Sequence, residues 1–394
     1  MRILLNARPA HGAYTGVGCY VWNLLDQLGR RPEVEQLGAF TGWGVVPWAD
    51  FAAAAANEGG ELRGKSPLRQ FASALLPPLR RAAHRFCAAS FRRAAARGDW
   101  SLYHEPNYIP LPFAGPTVIT VHDLSYLRTP EFLPRDRIGW LRENLRAATR
   151  TAGRIIVDSI FMREELLEHF PEIGPDRVRV THLGVDARFI AAGAAGAPGG
   201  ATGPPDRLIE DLGLPPRYVL FVGTLEPRKN LQGLLRAHAL LPERLQHEFP
   251  LVITGGRGCR QRYFWKELQR LRLRGTVRTL GYVPHALVPP LMRAATLLAY
   301  PSHYEGFGLC PLQAAACGTA VLASDIPPLR ETLHDAALFA DPRSPEAIAH
   351  ALRLLIEDDS LRALVAQRGH ARAAQFTWER CADRTLEVYR ELLG

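Results

Sequence analysis

The stretch Tyr300-Pro-Ser-His-Tyr-Glu-Gly-Phe-Gly-Leu-Cys-Pro-Leu-Gln-Ala-Ala-Ala-Cys-Gly-Thr319-Ala-Val-Leu-Ala-Ser324 decides the fold class. Ala295–Tyr300 is a short apolar run of strand type, and a polar loop with Glu305, Gly306 and Gly308 follows it. A small-residue helix over about 309–317, a stop at Gly318 and a second buried strand over 320–323 complete the unit. In a parallel sheet this order puts Glu305 at the carboxyl end of a strand, beside the first turn of a helix. Ligands bind open α/β sheets at that edge, and free backbone N–H groups there attract phosphate. An ordinary strand–loop–helix unit with a solvated glutamate fits the spacing equally well.

Outward from this stretch the same grammar repeats. Met1–Ala7 reads as a first strand, followed by a glycine-bearing loop, His11–Tyr20, holding Gly16 and Gly18. Val21, Leu24, Leu25 and Leu28 then mark one face of an amphipathic helix. The glycines suit either a tight turn or a phosphate cradle. The loop lacks the G-x-G-x-x-G spacing and the acidic residue of a dinucleotide site, which argues against a Rossmann dehydrogenase. Further apolar runs at 102–104, 117–121, 154–157 and 178–183 each lead into polar residues: Glu105 to Tyr108, His122-Asp123, Asp158-Ser159 and Gly184 to Asp186. Ser159 is placed to cap the helix after it. Ala191–Pro205 is almost wholly Ala, Gly and Pro, a linker without core-forming capacity. Beyond it the pattern restarts at 218–222, 251–254 and 276–281. Strands alternating with helices on both sides of a linker predict two doubly wound parallel-sheet domains.

Composition narrows the function classes. The 394 residues suffice for two or three domains, and the apolar fraction of 47% is that of a globular chain. No apolar run reaches the roughly 20 residues needed to span a bilayer, and Met1–Asn6 reads as a strand, not a signal peptide. Six scattered cysteines without a C-x-x-C pair argue against a zinc site or a disulfide framework and fit a reducing cytoplasm. The net charge is +9, and nine basic residues with no acidic one lie between Arg63 and Arg97. That segment also holds Phe71, Leu75, Leu76, Leu79, Phe86 and Phe91, so it suits an anionic membrane surface. A solvated helix face is the plain alternative, and no nucleic-acid motif accompanies the charge. Only Lys65, Lys229 and Lys266 are lysines.

Taken together, Gly223-Thr-Leu-Glu-Pro-Arg-Lys-Asn230, Glu305-Gly-Phe-Gly308 with Ala-Cys-Gly318, Gly184-Val-Asp186, His104-Glu-Pro-Asn107 and Val121-His-Asp123 resemble the retaining glycosyltransferases of family 4. The nearest wording is that of bacterial polysaccharide and O-antigen mannosyl- and rhamnosyltransferases. The resemblance implies GT-B architecture, two Rossmann-like doubly wound α/β domains facing across a cleft. It sets an acceptor domain at 1–188, a linker at 189–212, a nucleotide-sugar domain at 213–375, and a helix at 376–394 packing back toward the first domain. It implies transfer of a hexose, with a lean to GDP-mannose, from a nucleotide-diphosphate sugar to a glycan or lipid-linked acceptor. Catalytic roles fall on His122, Arg228, Lys229 and Glu305. Arg228 and Lys229 match the diphosphate-binding pair, Glu305 the first Glu of the E-x7-E motif that meets the donor sugar, and His122 a histidine near the transferred sugar. The donor side takes in Gly16, Gly18, Gly223, Gly255, Tyr282, Val283, Gly306, Phe307, Gly308, Leu309 and Gln313. Glu105, Asn107 and Asp123 fall on the acceptor side, Asp123 as an orienter or helix cap. No metal and no cofactor are expected, and the location implied is cytoplasmic, peripheral at the inner face of the membrane. Gln313 departs from the motif, whose second position is Glu. It motivates a second reading as a nucleotide-sugar-binding scaffold subunit; a GT-B epimerase, which needs a carboxylate and histidine set for proton abstraction, is the third.

Overall fold

A computed structural model describes residues 1–10, 15–57, 77–133, 135–194, 212–256, 258 and 260–394. Residues 11–14 of the expected glycine loop, most of the linker, and Arg63, Lys65, Arg69, Phe71, Leu75 and Leu76 of the basic segment lie outside these residues. The chain forms two compact units. The first comprises Met1–His122, Trp140–Leu183 and Trp378–Gly394, the second Asp123–Gly139 and Gly184–Thr377. This division differs from the expected boundaries, because the segment after the strand ending at Val121 packs with the second unit. There Leu124 N–H donates to Tyr304 Oη at 2.8 Å, and the Phe132 ring stacks on His303.

The first unit is built on seven strands: β1 (Arg2–Asn6), β2 (Gln36–Phe40), β3 (Val45–Pro47), β4 (Leu102–Glu105), β5 (Thr117–Val121), β6 (Arg154–Val157) and β7 (Val178–Val180). Their order is β3-β2-β1-β4-β5-β6-β7, parallel throughout except for the β2–β3 pair. Near-continuous burial along β1, β4, β5 and β6 is what a sheet covered on both faces requires. The winding direction reverses between β1 and β4, so the carboxyl ends of these two strands, Asn6 and Glu105, mark the topological switch point. Ser159 caps the Ile160–His169 helix, its Oγ accepting the Met162 N–H at 3.1 Å. Helix Trp378–Leu393 belongs to this unit. Arg31 pairs with Asp383 at 2.7 Å, and Leu392 packs where Gly153 leaves no room for a Cβ.

One expectation about the first unit is corrected. Gly16 and Gly18 are not in a loop; they occupy the first turn of the Gly16–Leu28 helix. Thr15 caps that helix, its Oγ1 accepting the Gly18 N–H at 3.1 Å, and so pulls the glycines into helical geometry. Gly18 is required by packing, since a Cβ there would lie 2.9 Å from Pro9 O, whereas Gly16 is open. The basic segment is divided in a similar way. Phe91, on helix Pro77–Ala95, is buried in a core cluster with Phe40 and Tyr103, while Phe86, Arg85, Arg92, Arg93 and Arg97 are exposed.

The second unit has six parallel strands: β8 (Val219–Val222), β9 (Leu251–Thr254), β10 (Val277–Gly281), β11 (Leu297–Tyr300), β12 (Ala320–Ser324) and β13 (Leu338–Ala340). Their order is β10-β9-β8-β11-β12-β13, so β8 and β11 flank the switch point. The opening stretch folds nearly as expected, with β11, helix Leu309–Ala316 and β12 in succession and Gly318 at φ 72° ending the helix. Gly308, at φ 97°, sits where a Cβ would overlap Leu329, which brings the loop hard against the next helix. Among the described residues no helix is long and apolar enough to cross a membrane.

Candidate active site

The switch point of the second sheet gathers its charged residues around one buried carboxylate. Glu305 lies five residues beyond β11 and is buried. Lys229 and Arg228 come from the short 3-10 turn Pro227–Lys229 after β8. Lys229 Nζ donates to Glu305 Oε1 at 2.7 Å and to Tyr300 Oη at 2.5 Å. Arg228 Nη1 reaches Glu305 Oε2 at 3.2 Å and the Tyr304 carbonyl at 2.8 Å, while Nη2 pairs with Glu226 at 2.9 Å. Burial pushes the Glu305 carboxyl up, but the charges of Lys229 and Arg228 outweigh it and hold the group below the usual carboxylate range. Burial likewise opposes the Arg228 charge and is outweighed by Glu305, Asp123 and Glu226. The resemblance assigned Glu305 to a sugar and the cations to a diphosphate; here all three are one cluster.

Backbone geometry holds the rest of this shelf. Asn230 follows Lys229 in the left-handed region at φ 55°, and its Oδ1 caps helix Leu231–Ala239 by accepting the Gly233 N–H at 3.1 Å. Gly255 follows β9 at φ 150°, where any side chain would overlap the Gly223 carbonyl, so two strand ends approach backbone to backbone. Tyr282, next to Gly281, is exposed and Val283 buried. Gly306, Phe307 and Gly308 are buried, Leu309 half-buried, and helix Leu309–Ala316 has no side-chain cap. Gln313 is buried on that helix. Asp123 also belongs here rather than with the first unit: it accepts the Ser125 N–H at 3.0 Å and acts on the Arg228 charge.

A second polar cluster occupies the first unit. His122, just past β5, places Nδ1 2.7 Å from Asp158 Oδ2 and Nε2 2.8 Å from the Pro106 carbonyl. With Asp158 ionised, both nitrogens meet acceptors, and only an imidazolium donates to both at once. The sugar hydrogen bond implied for His122 must therefore compete with these partners. Glu105, expected on the acceptor side, is buried at the β1–β4 switch point. Its Oε2 accepts from Asn6 Nδ2 at 2.8 Å and Tyr103 Oη at 2.6 Å, and Oε1 accepts the Asn107 N–H at 3.2 Å. Asn107 itself is exposed. Sequence reasoning gave no role to Tyr300, Tyr304, Glu226 and Asp158, although all four stand in or beside the quoted stretches; the partners of Tyr300, Tyr304 and Asp158 come from distant strand ends. Among the described residues no group of three or more His, Cys, Asp or Glu side chains is arranged to hold a metal ion.

Glu105 provides a pH test of this arrangement. Burial raises its carboxyl to about 7, the bonds from Tyr103 and Asn6 offsetting only part of the effect. Because the folded value exceeds the unfolded one, stability falls as pH rises from about 4.5 to about 7 and is level above, a penalty of roughly 3 kcal/mol. Glu105→Gln removes the titration, and the lost Asn107 bond adds an offset independent of pH. Urea unfolding should show the variant gaining on the wild type between pH 5 and 7 and holding a constant difference above; a difference flat across that window contradicts the assignment.

With this geometry in hand, the chain can be set beside known proteins. A family model described as glycosyl transferases group 1 matches residues 206–372, and one described as glycosyltransferase family 4 matches residues 14–189. The chain is 33% identical over 395 residues to the O-antigen chain mannosyltransferase B of Escherichia coli, covering 100% of both chains. Among solved structures it is similar to sucrose-phosphate synthase from Thermosynechococcus elongatus, at a TM-score of 0.72 and 20% identity over 100% of this chain and 99% of that one. Anabaena HepE, solved in complex with UDP-glucose, matches at a TM-score of 0.71 and 20% identity, covering 99% and 100%. These structures share the GT-B fold, each unit of which is the Rossmann-like sheet described above. The E. coli relative extends the likeness over the whole length, and the chain belongs to the family 4 glycosyltransferases.

Proposed function

We propose that the protein transfers a hexose, mannose before others, from a nucleotide-diphosphate sugar to a glycan or lipid-linked acceptor of a surface polysaccharide, with retention at the anomeric carbon. The observation that carries this reading is the convergence of Arg228 and Lys229 on Glu305 at the switch point of the second sheet. Breaking the glycosidic bond leaves added negative charge on the diphosphate, and fixed cations and dipoles aimed there lower the barrier. The uncapped helix Leu309–Ala316 adds first-turn N–H groups to the same shelf. Arg228 and Lys229 supply the charge that a divalent ion provides elsewhere, so transfer needs no metal. The E. coli mannosyltransferase relative supports mannose, and the UDP-glucose bound by HepE supports a nucleotide-sugar donor. His122 stands near the transferred sugar, oriented by Asp158 and Pro106. On the first unit, exposed Arg85, Arg92, Arg93 and Arg97 with exposed Phe86 suit a docking face for anionic lipid.

Three measurements test this. Transfer from GDP-mannose, compared with UDP- and dTDP-sugars, should persist in EDTA, keep the donor's anomeric configuration by NMR, and fall by about a hundredfold or more in Lys229→Met. Activity lost to EDTA and restored by Mg²⁺ overturns the metal-free reading. Gln313 gives a second test, since a neutral amide accepts hydrogen bonds about half as strongly as a carboxylate. Gln313→Glu should lower the donor KM and leave turnover similar; a large rise in kcat would instead favour a binding subunit with weakened catalysis. In vesicle sedimentation, anionic vesicles should retain more protein than neutral ones, and equal retention removes the electrostatic docking face.

A further inference from the structure

The ends of β4 and β5 both hold His122, and one buried histidine clasps both strands to the C-terminal helix. His104, on β4, is fully buried. Its Nδ1 lies 2.6 Å from Tyr389 Oη on helix Trp378–Leu393, and its Nε2 lies 2.8 Å from Thr120 Oγ1 on β5. Thr120 Oγ1 is 3.1 Å from Tyr20 Oη, and the Tyr20 ring stands edge-on to the His122 ring at 5.0 Å and 81°. Two residues beyond His104 is Pro106, whose carbonyl faces His122 Nε2 at 2.8 Å. Two residues beyond Thr120 is His122 itself. The His122 ring is thus fixed on one side by the end of β4, at its root by β5, and by a T-shaped ring contact with Tyr20.

His104 is suited to the clasp because burial holds its ring value down to about 3, leaving it neutral at working pH. A neutral imidazole between two hydroxyls donates to one and accepts from the other, and both tyrosine and threonine hydroxyls do either. Without the Tyr389 hydroxyl, one buried ring nitrogen of His104 is left unpaired, a state proteins relieve by moving the group. Any such movement is delivered to Thr120 and Pro106.

We propose that Tyr389, on the C-terminal helix, is a positioning residue that sets the His122 ring through the buried chain His104–Thr120–Tyr20. The proposal rests on the reading of His122 as part of the transfer site. The test uses Tyr389→Phe in the full chain, which deletes one oxygen and keeps the ring. Its kcat should fall by about fivefold to tenfold, the loss expected when one neutral hydrogen bond no longer supports a group acting in the transition state, with the donor KM unchanged. In the His122→Gln background the same change should cost nothing further. The ring ¹⁵N resonances and titration of His122, read by NMR, should shift in Tyr389→Phe. Unshifted His122 resonances, or equal losses in both backgrounds, overturn the proposal. Should Tyr389→Phe fail to fold, Tyr20→Phe cuts the chain at Thr120 with the helix untouched and is judged by the same readouts. A wild type without transfer activity removes the transfer reading alone, and the His122 resonances still decide the proposal.

Discussion

A carboxylate buried in a protein costs several kcal/mol of lost hydration, and only close, well-directed partners offset it. Glu305 meets that condition with Lys229 on one oxygen and Arg228 on the other. The requirement propagates outward. Lys229 must also reach Tyr300 at the end of β11, and Arg228 must reach the Tyr304 carbonyl, so the loops after β8 and β11 are fixed against each other. That is feasible only because β8 and β11 are neighbours in the sheet although 74 residues lie between the end of β8 at Val222 and the start of β11 at Leu297. The glycine contact at Gly223 and Gly255 extends the same rigid floor toward β9.

The first unit solves the corresponding problem differently. Glu105 occupies the equivalent switch point, between β1 and β4, yet its hydrogen bonds come from an amide, a phenol and a backbone N–H. Neutral donors do not repay the loss of water as a cation does, so this carboxyl drifts up to about 7 while Glu305 is held low. Two buried glutamates near the switch points of like sheets are therefore shifted in opposite directions. The difference lies in the partners: Arg228 and Lys229, from the turn after the neighbouring strand β8, in one case, and Asn6, Tyr103 and the Asn107 N–H in the other.

The fold was largely legible in the sequence, because strands buried on both faces announce themselves as unbroken apolar runs. The runs at 117–121, 154–157 and 251–254 match β5, β6 and β9 to the residue. Ser159 was legible as a cap because its chemistry is local. Gly16 and Gly18 misled, since a glycine-bearing segment reads as a loop until Thr15 is recognised as the cap that starts the helix there. At the candidate site, the residues carried by a motif could be named from the sequence, but their couplings could not. Glu305 meets Lys229 across 76 positions of sequence, and His122 meets Asp158 across 36. Asp123 was expected on the acceptor side, yet it belongs to the second unit while His122, one peptide bond away, belongs to the first.

The placement of helix Trp378–Leu393 has a consequence for biosynthesis. The first unit begins at Met1 but includes Trp378–Gly394, with the whole second unit made in between. On the ribosome, the amino-terminal sheet therefore waits through the synthesis of nearly two hundred further residues, Gly184–Thr377, before the segment that covers it emerges. At the usual rate of about 5–20 residues per second that interval is on the order of ten seconds or more. Throughout it, Tyr20 and His104 lack their native partners Trp378 and Tyr389. The second unit, apart from Asp123–Gly139, is made as one continuous run and faces no such delay. Synthesis of the second unit thus ends at Thr377, before that of the first, which ends at Gly394.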